Sequence, residues 1–127
     1  MSGTARKFSA FEFCNSNDPY GYMLECGFGS PNANFSRIEL SKLSFAVNGL
    51  PEEHKAFAFA IAENFGPRLF RNVAIDQLSS SDLSVRLSAY NCLIKLARKE
   101  FDSALIKRIR EAISDCPERE SMDFFDT

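Results

Sequence analysis

From Ser36 onward apolar positions recur with a period near 3.6, and this pattern divides the rest of the chain into five helices. Ser36-x-x-Glu39 is a capping box, and Leu40, Leu43, Val47 and Leu50 follow at helical spacing until Asn48-Gly49 and Pro51 stop the run. Pro51-Glu52-Glu53 opens a second helix, since proline loses nothing at a first helical position and carboxylates meet the positive end of the helix dipole. Phe65 and Gly66 close it. Within it, Ala56 to Ala62 is apolar on every side, which predicts a helix covered by neighbours on several faces. Pro67 starts a third helix, with Leu69, Phe70, Val73, Ala74 and Leu78 in one stripe and Arg68, Arg71, Asn72 and Asp76 outside it. The fourth, Asp82 to Lys99, has a narrow polar stripe of Ser84, Ser88, Asn91, Lys95 and Arg98. Its other positions, from Leu83 and Val85 through Leu87, Ala89, Tyr90, Cys92, Leu93 and Ile94 to Leu96 and Ala97, form a wide apolar face. Asp102 or Ser103 caps a fifth helix that carries Leu105, Ile106, Ile109, Ala112 and Ile113 on one side and ends at Cys116-Pro117.

Residues 1–35 have another texture: four of the six glycines, two of the five prolines and the turn formers Asn15 to Pro19 lie there. Two aromatic-rich runs, Lys7 to Cys14 and Tyr20 to Phe28, flank the turn. The alternation of Phe11 with Phe13, and of Tyr20, Tyr22 and Leu24, favours two short strands, against which Ser9-x-x-Glu12 is a capping box able to open a short helix. The predicted fold is therefore mostly α, with stacked helical hairpins in one domain over 1–117. A small irregular or β cap covers its N-terminal end, and residues 118–127 form an acidic, flexible tail.

Asp82, Val85-Arg86, Ala89, Leu93 and Leu96 stand in an order that resembles the first helix of a HEAT-type repeat. The resemblance implies that Asp82 begins the helix, Val85 packs inward, Arg86 lies at the repeat seam and Ala89 permits close helix approach. A shift of 31 residues places Pro51 on Asp82, Lys55 on Arg86, Ala58 on Ala89, Phe59 on Tyr90 and Phe65 on Leu96, a degenerate earlier copy. Two copies over residues 51–114 are fewer than the three or so that a helical stack needs, so the first helix and the N-terminal segment are expected to cap it.

Composition narrows the function more than it names it. Fifteen Lys and Arg against 17 Asp and Glu give a net charge of −2, which excludes a wholly cationic nucleic-acid coat. The longest apolar stretch is far below the roughly 20 residues of a membrane-spanning helix. The start of the chain has no uninterrupted apolar run of the secretory kind, so a cytoplasmic location with reduced cysteines is expected. Cys14, Cys26, Cys92 and Cys116 are scattered and accompanied by one histidine, with no zinc-ligand spacing, and no cofactor loop is present. His54 beside Glu53 offers a minimal acid–base pair, although adjacent residues on a helix do not face one another. Gly27 to Ser30 has the look of a phosphate-cradling turn without its lysine partner.

With no assembled catalytic set, the chain reads as a non-enzymatic protein-binding module. By type it is similar to the small acidic immunity proteins that neutralise bacterial toxins, many of them nucleases with basic clefts. That similarity implies a basic protein partner met by Glu52, Glu53, Asp82, Glu118, Glu120 and Asp123, with Phe124 and Phe125 as apolar anchors. The alternatives are a nucleic-acid-associated adaptor using the basic residues between Arg86 and Arg110, or a small enzyme built on His54.

Overall fold

A computed structural model describes residues 5–114 and 116. Among the described residues seven α-helices follow in order: α1 (Ala10–Cys14), α2 (Pro19–Glu25), α3 (Arg37–Ala46), α4 (Glu52–Phe65), α5 (Arg71–Gln77), α6 (Leu83–Glu100) and α7 (Ser103–Ile113). Short 3-10 turns, Val47–Gly49 and Pro67–Phe70, extend the end of α3 and the start of α5. The five helices expected from Ser36 onward are all present, and their caps are those the spacing indicated. Ser36, Asp82 and Asp102 each accept the amide three residues on.

The expected N-terminal strands are helices instead, and no strand occurs among the described residues. Local capping overrode the alternation. Ser9 Oγ accepts the Glu12 amide, and Asp18 accepts the Gly21 amide with Pro19 in the first turn. In helical register Pro19, Tyr22, Met23 and Cys26 fall at i, i+3, i+4 and i+7, all buried, whereas Tyr20 and Leu24 are about half exposed. A polar network secures this segment. The Tyr22 hydroxyl accepts the Ser9 amide at 2.9 Å and donates to Glu12, while Arg6 bridges Glu12 and Glu25 and lies over the Tyr22 ring. Gly27, at φ +87°, turns the chain back through Ser30 N–H to Gly27 C=O, so that turn closes on its own backbone.

Pairwise contacts fix the directions of the helices. Tyr20 at the start of α2 packs against Phe57 in α4, and Phe28 just past α2 meets Phe65 at the end of α4, so these two run parallel. Glu52, Glu53 and Asp82 line one groove, while Phe65, Lys95 and Lys99 line a cleft at the other end, so α4 and α6 are also parallel. On the other side, Asn48 after α3 accepts from Gln77 at the end of α5. Arg71 at the start of α5 pairs with Asp102 before α7, and Cys116 beyond α7 donates to the Leu78 carbonyl after α5. Ala10 of α1 donates to Glu39 of α3. Odd-numbered helices therefore occupy one layer and even-numbered helices the other.

One hydrophobic cluster joins the layers, from Phe8 and Phe13 through Phe59, Phe70 and Leu93 to Ile109 and Ile113. At positions that the 31-residue register pairs, Pro51 and Asp82 are both helix N-caps, and Ala58, Ala89, Phe59 and Tyr90 are all buried. Small Ala58 and Ala89 suit close approach of two parallel helices. The register weakens later, since Phe65 is partly exposed where Leu96 is buried. Leu83, expected on the apolar face, is about half exposed because it lies in the first turn of α6, beyond the covering layer.

Candidate functional site: an acidic groove between α4 and α6

The parallel packing of α4 and α6 brings both helix starts to one edge of the molecule. There Glu52, Glu53, Ala56, Phe57 and Ala60 of α4, with Asp82, Ser84 and Ser88 from α6 and its cap, enclose a groove of about 640 Å³. Three of the carboxylates expected to meet a partner are thus in one place although 30 residues separate them in sequence. Glu52 and Glu53 are exposed, whereas Asp82 is half-buried and spends one oxygen on the Val85 amide. Each helix start contributes roughly half a positive charge, so the two dipoles offset about one of the three carboxylates and leave the groove negative.

The apolar run of α4 is covered on several faces and open on one: Ala58, Phe59, Ile61 and Ala62 are buried, whereas Ala56, Phe57 and Ala60 are half-buried and face the groove. Tyr20 extends this apolar surface by packing on Phe57, with ring centroids 5.6 Å apart. The polar stripe of α6 supplies the opposite wall. A signal for this existed in the sequence, because the 31-residue register lays Glu53, Phe57 and Ala60 on Ser84, Ser88 and Asn91, the outward stripe of the later copy.

The opposite end of the same two helices is cationic. Arg37, Arg68, Lys95 and Lys99 line a cleft of about 430 Å³ with Glu63 and Glu100, and Arg68 is ion-paired with Glu100. Cations here face the negative ends of both helix dipoles. Of the basic residues between Arg86 and Arg110, Arg86 stands apart from this cleft: it donates to the Ser80 carbonyl, in the turn before α6, far along the helix from Lys95 and Lys99.

His54 lies outside the groove. It is buried, its Nε2 is 2.9 Å from the Ser16 carbonyl and its ring packs edge-on against Phe13. Cys92 is enclosed in the core, and burial pushes its thiol up to about 12, so thiolate is scarce at neutral pH. Cys14, Cys26 and Cys92 carry free thiols. Glu118, Glu120, Asp123, Phe124 and Phe125 lie outside the described residues. No helix among the described residues is long and apolar enough to cross a membrane. No family model, curated protein or solved structure matches the chain.

Proposed function

We propose that this protein is a non-enzymatic binding module of HEAT-like helical hairpins, acting as an immunity-type inhibitor of a basic protein toxin such as a nuclease. The observation that carries the proposal is the convergence of Glu52, Glu53 and Asp82 on one groove with an apolar floor. Charged residues at the rim steer an oppositely charged partner and set the rate of encounter, while a desolvated aromatic at the centre slows its release. Phe57, backed by Tyr20, is that aromatic here. In a nuclease the basic cleft is built for phosphates, and the carboxylates of this groove take their place. The engagement of His54 with Ser16, away from the groove, supports a binding role over acid–base chemistry.

The two-layer alternation of helices and the N-caps of α4 and α6, which stand 31 residues apart at Pro51 and Asp82, support the repeat reading. A nucleic-acid adaptor is the second reading, favoured by the cationic cleft at the far end of α4 and α6. Isolation of a stoichiometric partner from the native host tests the proposal. The expected partner is a basic protein whose activity falls when the complex forms. Titration against duplex and single-stranded nucleic acid at roughly 50 to 200 mM salt separates the readings: salt-sensitive micromolar binding there overturns the inhibitor.

A further inference from the structure

The outer face of α3 carries apolar side chains that nothing among the described residues covers. Phe45 is 88% exposed and Ile38 70%, seven residues apart on one stripe, with Lys42 between them. A third exposed aromatic, Phe11 at 77%, belongs to α1, which is tied to the first turn of α3 by the bond from the Ala10 amide to Glu39. Single exposed apolar residues are ordinary. Two large ones on one stripe within two helical turns form a patch of the kind that binds something. The patch is also cationic at its margin: Arg37 and Lys42 are exposed, and Glu39 is already engaged by the Ala10 amide and Lys42.

We propose that residues 117–127 of this same chain dock on that face, Phe124 and Phe125 covering Ile38 and Phe45 and the acidic side chains meeting Lys42 and Arg37. The segment holds Glu118, Glu120, Asp123 and Asp126 against one cation, Arg119, together with Met122, Phe124 and Phe125. It is thus the chemical complement of the patch, acidic and aromatic against basic and apolar. Its starting point is close by. Cys116 is held on the Leu78 carbonyl, and the adjacent Gln77 donates to Asn48, three residues beyond Phe45. From Cys116 to Phe124 an extended chain spans up to about 27 Å, whereas Ile38 and Phe45 are separated by only about 10 Å of helix. The outer face of α7, with Lys107 and Arg108 exposed, offers charge but no large apolar side chain, so the aromatic pair would stay in water there. Docking on α3 buries both.

Nuclear magnetic resonance of the full chain, with labelled isoleucine methyl groups, tests this. Ile38 is expected to show contacts to aromatic protons that disappear in a Phe124→Ser/Phe125→Ser variant, with Ile38 and Lys42 signals shifting and core signals such as Ile61 unmoved. Reciprocally, Phe45→Ser, at a solvent-facing position, is expected to shift the signals of residues 122–126. Both effects are expected to persist on dilution. Ile38 and Lys42 signals indifferent to the double substitution overturn the proposal. Contacts that fade on dilution, or that arise only between differently labelled copies, overturn it in favour of a second copy as the occupant.

Discussion

The Nε2 of His54 lies 2.9 Å from the backbone carbonyl of Ser16, 38 residues earlier in the chain. A carbonyl oxygen only accepts, so Nε2 carries the proton and donates. The one histidine of the sequence therefore pins α4 to the turn between α1 and α2, in a T-shaped contact with the Phe13 ring. His54→Ala leaves that carbonyl without its donor and opens a cavity beside Phe13, at an expected cost of about 1 to 3 kcal/mol in urea denaturation. Partner binding, corrected for the folded fraction, is expected to be unchanged. A fully folded His54→Ala protein that no longer binds would give the residue a direct role.

The two faces of α6 are separable by stability. Leu93 is fully buried between the layers, whereas Ser88 lines the groove. Leu93→Ala is expected to cost about 2 to 5 kcal/mol, and Ser88→Ala to stay within about 0.5 kcal/mol. Equal denaturant midpoints for the two variants would contradict the facing described here.

Two backbone positions make opposite predictions. At Gly27 φ is +87° and an added Cβ would lie 2.9 Å from the Asn32 carbonyl oxygen and from Ala33 Cα, so Gly27→Ala is expected to destabilise by about 1 to 3 kcal/mol. Phe101 is a bulky residue at φ 52° ending α6, and it is 91% exposed, so its ring contributes little packing to offset the strain. Phe101→Gly is expected to stabilise by about 1 kcal/mol, raising the melting temperature by about 4 °C. A lower melting temperature for Phe101→Gly would show that the phenyl ring supports the fold.

Acid sensitivity is expected to pass through Glu39. Its carboxylate accepts the Ala10 amide and pairs with Lys42, and these contacts, the amide first, hold its pKa below the ordinary value of 4.5. A depressed folded-state pKa gives stability that is whole above the unfolded value and is lost as pH falls through the folded one. Thermal scans are therefore expected to show a decline below about pH 4.5 that is shallower in Glu39→Gln, whose amide oxygen still accepts from Ala10 but does not titrate. Parallel declines for the two proteins would exclude this contact as a source of the acid sensitivity.

Helix positions after Ser36 were legible because each start carries a side-chain cap or proline and each apolar stripe keeps one period. In α2 the same signals were present, Asp18 as cap and Pro19 in the first turn, but alternating Tyr20, Tyr22 and Leu24 imitated a strand. Burial of Pro19, Tyr22, Met23 and Cys26 decides the matter only once α4 is there to receive them. The groove was half legible. Charge and helix-start logic singled out Glu52, Glu53 and Asp82, whereas Phe57 lay in an all-round apolar run whose open side was marked only by the 31-residue register that sets it on Ser88. The bond from His54 to Ser16 had no local signature, since it depends on the packing of segments distant in sequence.

The groove itself makes a kinetic prediction that separates its rim from its floor. Glu52 and Glu53 are exposed at the mouth, so Glu52→Lys/Glu53→Lys is expected to slow association with a basic partner about tenfold or more at low salt and to weaken the dependence of that rate on salt. Phe57 is half-buried in the floor and backed by Tyr20, so Phe57→Ala is expected to leave association within about threefold while speeding dissociation about tenfold or more. Surface plasmon resonance against the purified partner, repeated at several salt concentrations, measures both rates. Because Phe57 also contacts Tyr20, the variant is first checked for an unchanged denaturation midpoint, or its dissociation rate is compared with that of Tyr20→Ala. If charge reversal at the rim changes neither rate, the partner docks elsewhere on the molecule, and the acidic residues of the groove serve only to complement the two helix starts they sit on.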